Sequence, residues 1–306
     1  MKVLITGGAG YIGTKLTKEL IQNDGISEIV IYDNLSRGNY NLFLGEKFKN
    51  KSKLSFELGD VLDSRSLGSA LEGVDIVYHL AAKVTTPFSN TDSHFYEQTN
   101  HWGTAELTYA LEKSEVKKLI YVSSASVYGA SSSAINEDTI PNPRTFYGIS
   151  KLRGEEHVIR MMDKMDTYVL RCGNVFGYSH SMRFDAVINK FMFDANFNSK
   201  ISIHGNGKQT RPFIHISKVV SVLKNLPFSQ APSGIYNVVG KTMTILDIVD
   251  VVKEIYPELE FIFINQHLKL REINIDAKSG LEKYLAIPHD GDFKDELMAF
   301  KNSLSF

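Results

Sequence analysis

Residues 2–13 read Lys2-Val3-Leu4-Ile5-Thr6-Gly7-Gly8-Ala9-Gly10-Tyr11-Ile12-Gly13, and the rest of the chain is read outward from them. Val3, Leu4 and Ile5 form a short unbroken apolar run, the pattern of a strand buried on both faces of a parallel sheet. Glycines follow at once, and from Tyr11 to Gln22 the apolar residues Ile12, Leu16, Leu20 and Ile21 recur at helical spacing. The segment therefore predicts strand, glycine turn and amphipathic helix. A helix N-terminus offers unsatisfied N–H groups and the positive end of its dipole, so a pyrophosphate fits there, and glycines let the backbone come close to it. Gly8, Gly10 and Gly13 satisfy the dinucleotide spacing, although a glycine triplet by itself also serves as a plain tight turn.

The next segments decide between those readings. Ile29-Val30-Ile31-Tyr32 reads as a second buried strand ending at Asp33, 20 residues after Gly13, where a carboxylate can bind the two hydroxyls of an adenosine ribose. That carboxylate repels a 2'-phosphate, so NAD is preferred over NADP, with Arg37 nearby offsetting part of the repulsion; the competing reading of Asp33 is a turn residue. Lys47 to Lys53 holds four lysines in seven positions and reads as a solvated loop. Leu54 to Leu58 alternates toward Gly59-Asp60-Val61, placing Asp60 where it can contact the adenine amine. An amphipathic segment from Ser64 to Leu71 precedes Val74 to Ala82, a buried strand ending in small residues beside the expected cofactor. Asp92 to Lys113, holding Asn100 and Trp102, predicts a long helix before the strand Lys118 to Val122. Ser131-Ser132-Ser133 reads as a mobile loop. Strands and helices alternate throughout, the mark of an α/β fold with a doubly wound parallel sheet.

The bulk numbers exclude several classes of protein. The chain has 306 residues, 43% hydrophobic, with 34 basic and 35 acidic side chains and a formal charge of −1. No global field recruits nucleic acid or an anionic membrane. One cysteine, Cys172, forbids an intrachain disulfide framework and fits a reducing compartment. No apolar run approaches the roughly 18 to 20 residues needed to span a bilayer, and the amino-terminal run is too short for a signal-peptide core, so the expectation is a soluble, cytoplasmic protein. His204 and His215 have no companions at metal-ligand spacing and read as structural; no metal is expected.

The chemistry is expected downstream of the strand Leu119 to Val122, which runs into Ser123-Ser124-Ala125-Ser126-Val127-Tyr128-Gly129. Ligands of open parallel sheets sit beyond the carboxyl ends of strands, so hydroxyls released there face the crevice. Tyr147 and Lys151 then lie at i and i+4 of a helix and share a face. An ammonium beside a phenol stabilises the phenolate, so Lys151 is expected to pull the Tyr147 pKa down from about 10 and make it a general base; the alternative is an ordinary surface pair.

At this point the sequence resembles the extended short-chain dehydrogenase/reductases, and among them the NAD-dependent nucleotide-sugar epimerases and dehydratases, close to the UDP-glucose 4-epimerase group. The resemblance rests on Thr6 to Gly13, Asp33 to Gly38, Asp60-Val61, His79 to Ala82, Ser124 to Gly129, Tyr147 to Lys151 and Leu170 to Gly177. It implies a Rossmann-type sheet and a cofactor set of Gly7, Gly10, Tyr11, Ile12, Gly13, Asp33, Asn34, Arg37, Asp60, Val61, Leu80, Ala81, Ala82 and Asn100, with Tyr147 and Lys151. It assigns catalysis to Ser124, Tyr147 and Lys151. Tyr147 would take the proton of a sugar hydroxyl while the carbon beneath gives hydride to the nicotinamide, Ser124 would bind the same oxygen, and Lys151 would hold the nicotinamide ribose. In an epimerase the ketone turns over and receives hydride on its other face. Family dehydratases usually carry an acid after the catalytic Ser or Thr; here those positions are Ala125 and Ser126, which favours 4-epimerisation over 4,6-dehydration and leaves a ketoreductase open.

The resemblance also implies two interleaved domains: residues 1–172, with 213–240 returning to it, for NAD, and residues 173–212 with 241–306 forming a smaller α/β unit for the nucleotide sugar, a UDP-sugar being favoured. Ser124, Asn174, Arg211, Arg271 and Asp276 are its substrate residues. Asn174 also reads as a strand-end turn, and Arg271 and Asp276 also as surface ion-pair residues. Gly205 to Arg211 resembles a hairpin ending in a diphosphate-binding arginine, whose planar fork suits two phosphate oxygens; Pro212 departs from the usual Asp there. Phe213 to Leu223 and Ile235 to Val239 are expected as helix and strand, and Thr242 to Tyr256 as a helix capped by Thr244. Relatives pair two long helices into a dimer, here Asp92 to Lys113 and Tyr147 to Met162. A non-catalytic NAD-sensing protein is the reading from another class, and the intact Tyr147 and Lys151 count against it.

Overall fold

The computed structural model describes all residues except 45–47, 49, 85–91, 266–271, 277, 289–290 and 306. The expected Arg271 site lies outside the described residues. Seven strands form one sheet: β1 (Lys2–Thr6), β2 (Glu28–Asp33), β3 (Leu54–Leu58), β4 (Ile76–His79), β5 (Lys118–Ser124), β7 (Asp166–Cys172) and β11 (Gly234–Val238). Their spatial order is β11-β7-β5-β4-β1-β2-β3, every pairing parallel. The chain winds outward one way from β1 to β2 and β3 and the other way from β4, so the order reverses between β1 and β4. A crevice opens beyond the carboxyl ends of those two strands.

Both faces of the sheet are covered, as its near-continuous apolar strands require. On one face α1 (Tyr11–Leu20) and α7 (Ile216–Asn225) bury Leu16, Leu20, Val219, Val222 and Leu223 against Ile5, Ile31 and Tyr78. On the other, α2 (Ser64–Ala70), α4 (Gly103–Glu112) and α5 (Phe146–Ile159) bury Leu67, Leu107, Leu111 and Val158 against Leu4, Val77, Leu119 and Tyr121. The helix expected over Asp92 to Lys113 has three parts: α3 (Ser93–Tyr96), a π-helical turn at Glu97–Trp102, and α4. A π turn inserts one residue into the repeat, which the apolar spacing does not reveal.

A second group of elements packs around Phe176, Met192, Ile248, Val252, Leu297 and Phe300. It comprises α6 (Val187–Asn198), α8 (Ile245–Ile255) and α9 (Phe293–Lys301), with β8 (Asn174–Phe176), β10 (Thr210–His215) and β12 (Lys241–Thr244) in one small sheet and β9 (Lys200–His204) beside β13 (Glu260–Ile264) in another. Thr244 and Asp247 close a reciprocal capping box at the start of α8. Gly205 to Arg211 does not form the expected hairpin: β9 pairs with β13, and β10 pairs with β8 and β12. The serine tract is likewise a strand, β6 (Ser131–Ile135), paired with β14 (Ile273–Ile275). Its partner comes from far along the chain, and three serines carry no apolar alternation to announce it.

Candidate active site

The crevice between β1 and β4 leads into a cavity of about 440 Å³. Gly7, Gly10, Tyr11, Ile12 and Gly13 line one end, at the start of α1, whose N-terminus has no side-chain cap and no acid in its first turn. Gly7 has a φ of +70°, and a Cβ there would come within 2.6 Å of the Ala81 amide. The turn is thus pressed onto the loop leaving β4, and Leu80, Ala81 and Ala82 of that loop form the adjacent wall. Asp33, at the end of β2, lines the same end; one carboxylate oxygen accepts from the Leu35 amide at 2.8 Å and the other from the Ala9 amide at 3.1 Å. Burial raises its pKa above the usual carboxylate value, and those two amides oppose the rise.

Asn34, Arg37 and Val61 also line the cavity. Arg37 is paired with Asp185 at 3.4 Å. Asp60 is set back from the wall between two lining residues, Gly59 and Val61, and accepts from the Asn34 amide group at 2.8 Å. Asn100 is fully buried behind the wall: its oxygen accepts from the Lys83 amide at 2.7 Å, and its nitrogen donates to the Lys83 carbonyl and the Ser150 hydroxyl. It clamps the loop after β4 and does not itself line the cavity.

Ser124, Tyr147 and Lys151 line the cavity as well. Ser124 ends β5, and its hydroxyl accepts from the Ser126 amide at 3.2 Å. Thr145 caps α5 by accepting from the Gly148 amide, which starts the helix just before Tyr147. Lys151 is 2% exposed, its ammonium 4.0 Å from the centre of the Tyr121 ring. Burial pushes its pKa down to about 7. The expectation that Lys151 lowers the phenol's pKa is not met by the protein groups alone: burial raises the Tyr147 pKa above 10, and the groups acting against the rise are Arg183 and the Ser124 hydroxyl. A buried ammonium that is itself near neutrality is a weak stabiliser of a phenolate.

Arg183 is the residue the sequence reading missed. It lines the cavity, donates to the Val84 carbonyl at 2.7 Å and pairs with Asp185 at 3.1 Å. It follows Gly177, where periodicity is weakest, and no local motif marks it. Cys172, which was read only for redox compartment, lines the cavity too, its thiol pushed up to about 12 by burial. Among the expected substrate residues, Asn174 lines the wall and donates to the Pro212 carbonyl at 3.0 Å. Arg211 on β10 and the exposed Asp276, which turns the chain by accepting from the Lys278 amide, are not among the wall residues.

Residues 3–238 match the NAD dependent epimerase/dehydratase family. The chain belongs to that family. It is 32% identical over 271 residues to a dTDP-D-glucose 4,6-dehydratase of Dictyostelium discoideum, an alignment spanning 83% of this chain and 61% of the relative's length. Among solved structures it resembles the UDP-glucuronic acid 4-epimerase of Bacillus cereus in complex with UDP-glucuronic acid and NAD, at a TM-score of 0.83 and 27% identity, covering 99% of this chain and 98% of that one. A UDP-N-acetylglucosamine 4-epimerase from Methanobrevibacter ruminantium M1, in complex with UDP-N-acetylmuramic acid, gives a TM-score of 0.85 at 26% identity, covering 98% and 97%. The epimerase/dehydratase fold is therefore present along almost the whole chain.

Proposed function

We propose that this protein is an NAD-dependent nucleotide-sugar epimerase that inverts carbon 4 of a UDP-hexose through a transient 4-keto sugar. The observation that carries the reading is that Ser124, Tyr147 and Lys151 line the same cavity as the glycine turn and Asp33. The lining fits a dinucleotide: Gly7 and Gly10 allow close backbone approach, the uncapped start of α1 suits a pyrophosphate, and Asp33 presents a carboxylate to a ribose. Bound NAD supplies a hydride acceptor and donor. The chain's own part is to take the hydroxyl proton onto the Tyr147 oxygen, hold the substrate oxygen with Ser124, and return the proton after the ketone has turned. Asn174 on the cavity wall and Arg211 on β10 are proposed to hold the nucleotide diphosphate.

Dehydration is the second reading because dehydratases are among the relatives. Losing water across carbons 5 and 6 of the 4-keto sugar needs a base to take the proton from carbon 5, next to the ketone, and an acid to protonate the hydroxyl leaving carbon 6. Among the described residues lining the cavity the one carboxylate is Asp33, bonded to the Ala9 amide of the glycine turn, and the position after Ser124 is the buried Ala125. That favours epimerisation. Purified protein given a panel of UDP-hexoses without added cofactor is expected to interconvert one C4 pair by NMR, and Tyr147→Phe is expected to lose at least about a hundredfold in turnover. Full turnover by Tyr147→Phe would refute the mechanism, and a product lighter by one water would select the dehydratase.

The same reading includes a homodimer in a reducing cytoplasmic setting. Trp102, Tyr109 and Ile159 are exposed along the π turn, α4 and α5, an aromatic and aliphatic surface suited to helix pairing, and Cys172 is buried as a free thiol. No described helix is long and apolar enough to cross a membrane. Light scattering is expected to give twice the chain mass; a monomer across the micromolar range would sink the dimer.

A further inference from the structure

We propose that Glu155 is a positioning residue for the catalytic pair: a fully buried carboxylate that fastens α5 to the two strands leading into the site and sets a negative charge one helical turn from the Lys151 ammonium. The proposal rests on the roles given above to Tyr147 and Lys151. Glu155 is 0% exposed. Arg171 of β7 donates to both of its oxygens, Nη2 at 2.7 Å and Nε at 3.1 and 3.2 Å, and the Ser123 hydroxyl of β5 donates to Oε1. Ser123 and Arg171 face each other in the β5–β7 register, and the next pair along is Ser124 and Cys172. One side chain therefore locks the helix bearing Tyr147 and Lys151 to the strand ends that present Ser124 and, past Gly173, Asn174.

Stability alone is a poor reason for such a cluster. A buried ion pair costs desolvation that its attraction often fails to exceed, and apolar replacements of similar volume are frequently neutral or stabilising. The surroundings of Lys151 supply a better reason. Tyr121 of β5 lies under its ammonium, and Tyr147 stands one turn earlier on α5. His79 of β4 is held neutral, its pKa pushed down to about 3 by burial and by Lys151 itself. Cys172 of β7 keeps its proton near neutral pH, and Arg171 is bound on the carboxylate. Glu155 comes first among the groups that oppose the burial of Lys151, and the protonated Cys172 adds no charge near neutral pH. Without that carboxylate Lys151 turns neutral across the working range, and the phenol loses its ammonium.

The titration of Lys151 tests this directly. In protein labelled with ¹³C at lysine Cε, with the Lys151 signal assigned by its disappearance in Lys151→Met, the midpoint is expected to fall by about one pH unit or more in Glu155→Gln, as for loss of a nearby opposite charge. Ser123→Ala, which cuts one tether and keeps the charge, is expected to leave the midpoint in place. The alkaline limb of turnover in Glu155→Gln should move down by the same interval, whereas a purely structural defect lowers turnover equally at every pH. If the single variant does not fold, Glu155→Gln with Arg171→Met leaves no lone buried charge and is expected to show a smaller fall, because a positive charge leaves with the negative one. An unshifted midpoint in either folded variant overturns the proposal and leaves the preceding reading intact. A Lys151→Met enzyme with full turnover would sink that reading while leaving the Glu155→Gln titration unaffected.

Discussion

Lys151 shows how a single residue trades stability for chemistry. Its pKa in the folded chain is about 7 against 10.5 for a free side chain, so between those values the unfolded chain binds more protons than the folded one. Stability then rises with pH across that window, and below about pH 7 the full cost of burying an ammonium is present. Lys151→Met removes the charge at similar length, so it is expected to raise the melting temperature at pH 6 and to raise it much less at pH 9.5, while turnover collapses. A melting gain independent of pH would mean that Lys151 is not a buried cation. The identities of Ser124, Tyr147 and Lys151 were legible because their spacing is local. The raised phenol pKa was not, since it comes from burial, and Arg183, which opposes the rise, arrives from another part of the chain. Asn100 shows the opposite failure: the helix was foreseen, but its π turn decides that this amide holds the Lys83 backbone.

At the scale of the element, α5 is the part whose seating matters most. A Cβ on Gly148 would meet the Ser126 carbonyl oxygen at 2.5 Å, and one on Gly154 would meet the Tyr121 hydroxyl at 2.5 Å and the Asn100 carbonyl at 2.7 Å. Gly148 thus lets the start of the helix lie directly on the turn after β5, and Gly154 lets the helix lie against Tyr121 and the π turn. Gly148→Ala is expected to lower stability by about 1–3 kcal/mol, as overpacking does, and to lower turnover more than substrate affinity, because it shifts Tyr147 relative to Ser124 in the cavity wall. The exposed Gly68 of α2 has open space around it, so Gly68→Ala is expected to stabilise by about 0.5–1 kcal/mol through helix propensity alone. Chemical denaturation of both variants checks the contrast, and equal effects would refute the close-packing account. The sequence made α1, α5 and α8 legible through apolar spacing and caps. It left β6 and β14 unread because their pairing joins segments far apart in the chain and β6 has no apolar alternation.

Across the whole molecule, the segment that leaves the large sheet after β8 is pinned back onto α1. The Tyr11 hydroxyl donates to the Gly177 carbonyl at 2.6 Å, Thr14 donates to the Ser181 hydroxyl at 2.9 Å, Ser179 donates to the Tyr11 carbonyl at 2.8 Å, and Lys15 reaches the Tyr178 carbonyl. The helix that opens the expected cofactor site is thereby the same one that anchors the approach to the smaller sheets. A ligand seated on the start of α1 stabilises both. Binding to the folded state alone adds RT ln(1 + [L]/Kd), about 2.7 kcal/mol at a hundredfold excess over Kd, which for a chain of this size is a rise of several degrees in melting temperature. Added to protein stripped of its cofactor, NAD is expected to give that rise, with a UDP-sugar adding to it. Asp33→Ala, which removes the carboxylate that faces the ribose and braces the Ala9 amide, is expected to abolish most of the NAD increment and leave the UDP-sugar increment largely in place. Because the glycine turn follows β1 at the sheet's reversal point and Asp33 ends the neighbouring β2, the two increments separate only if the adenosine end of the cofactor lies there, away from the sugar beside Ser124 and Tyr147. If Asp33→Ala erased both increments equally, or neither, that division of the site would be wrong.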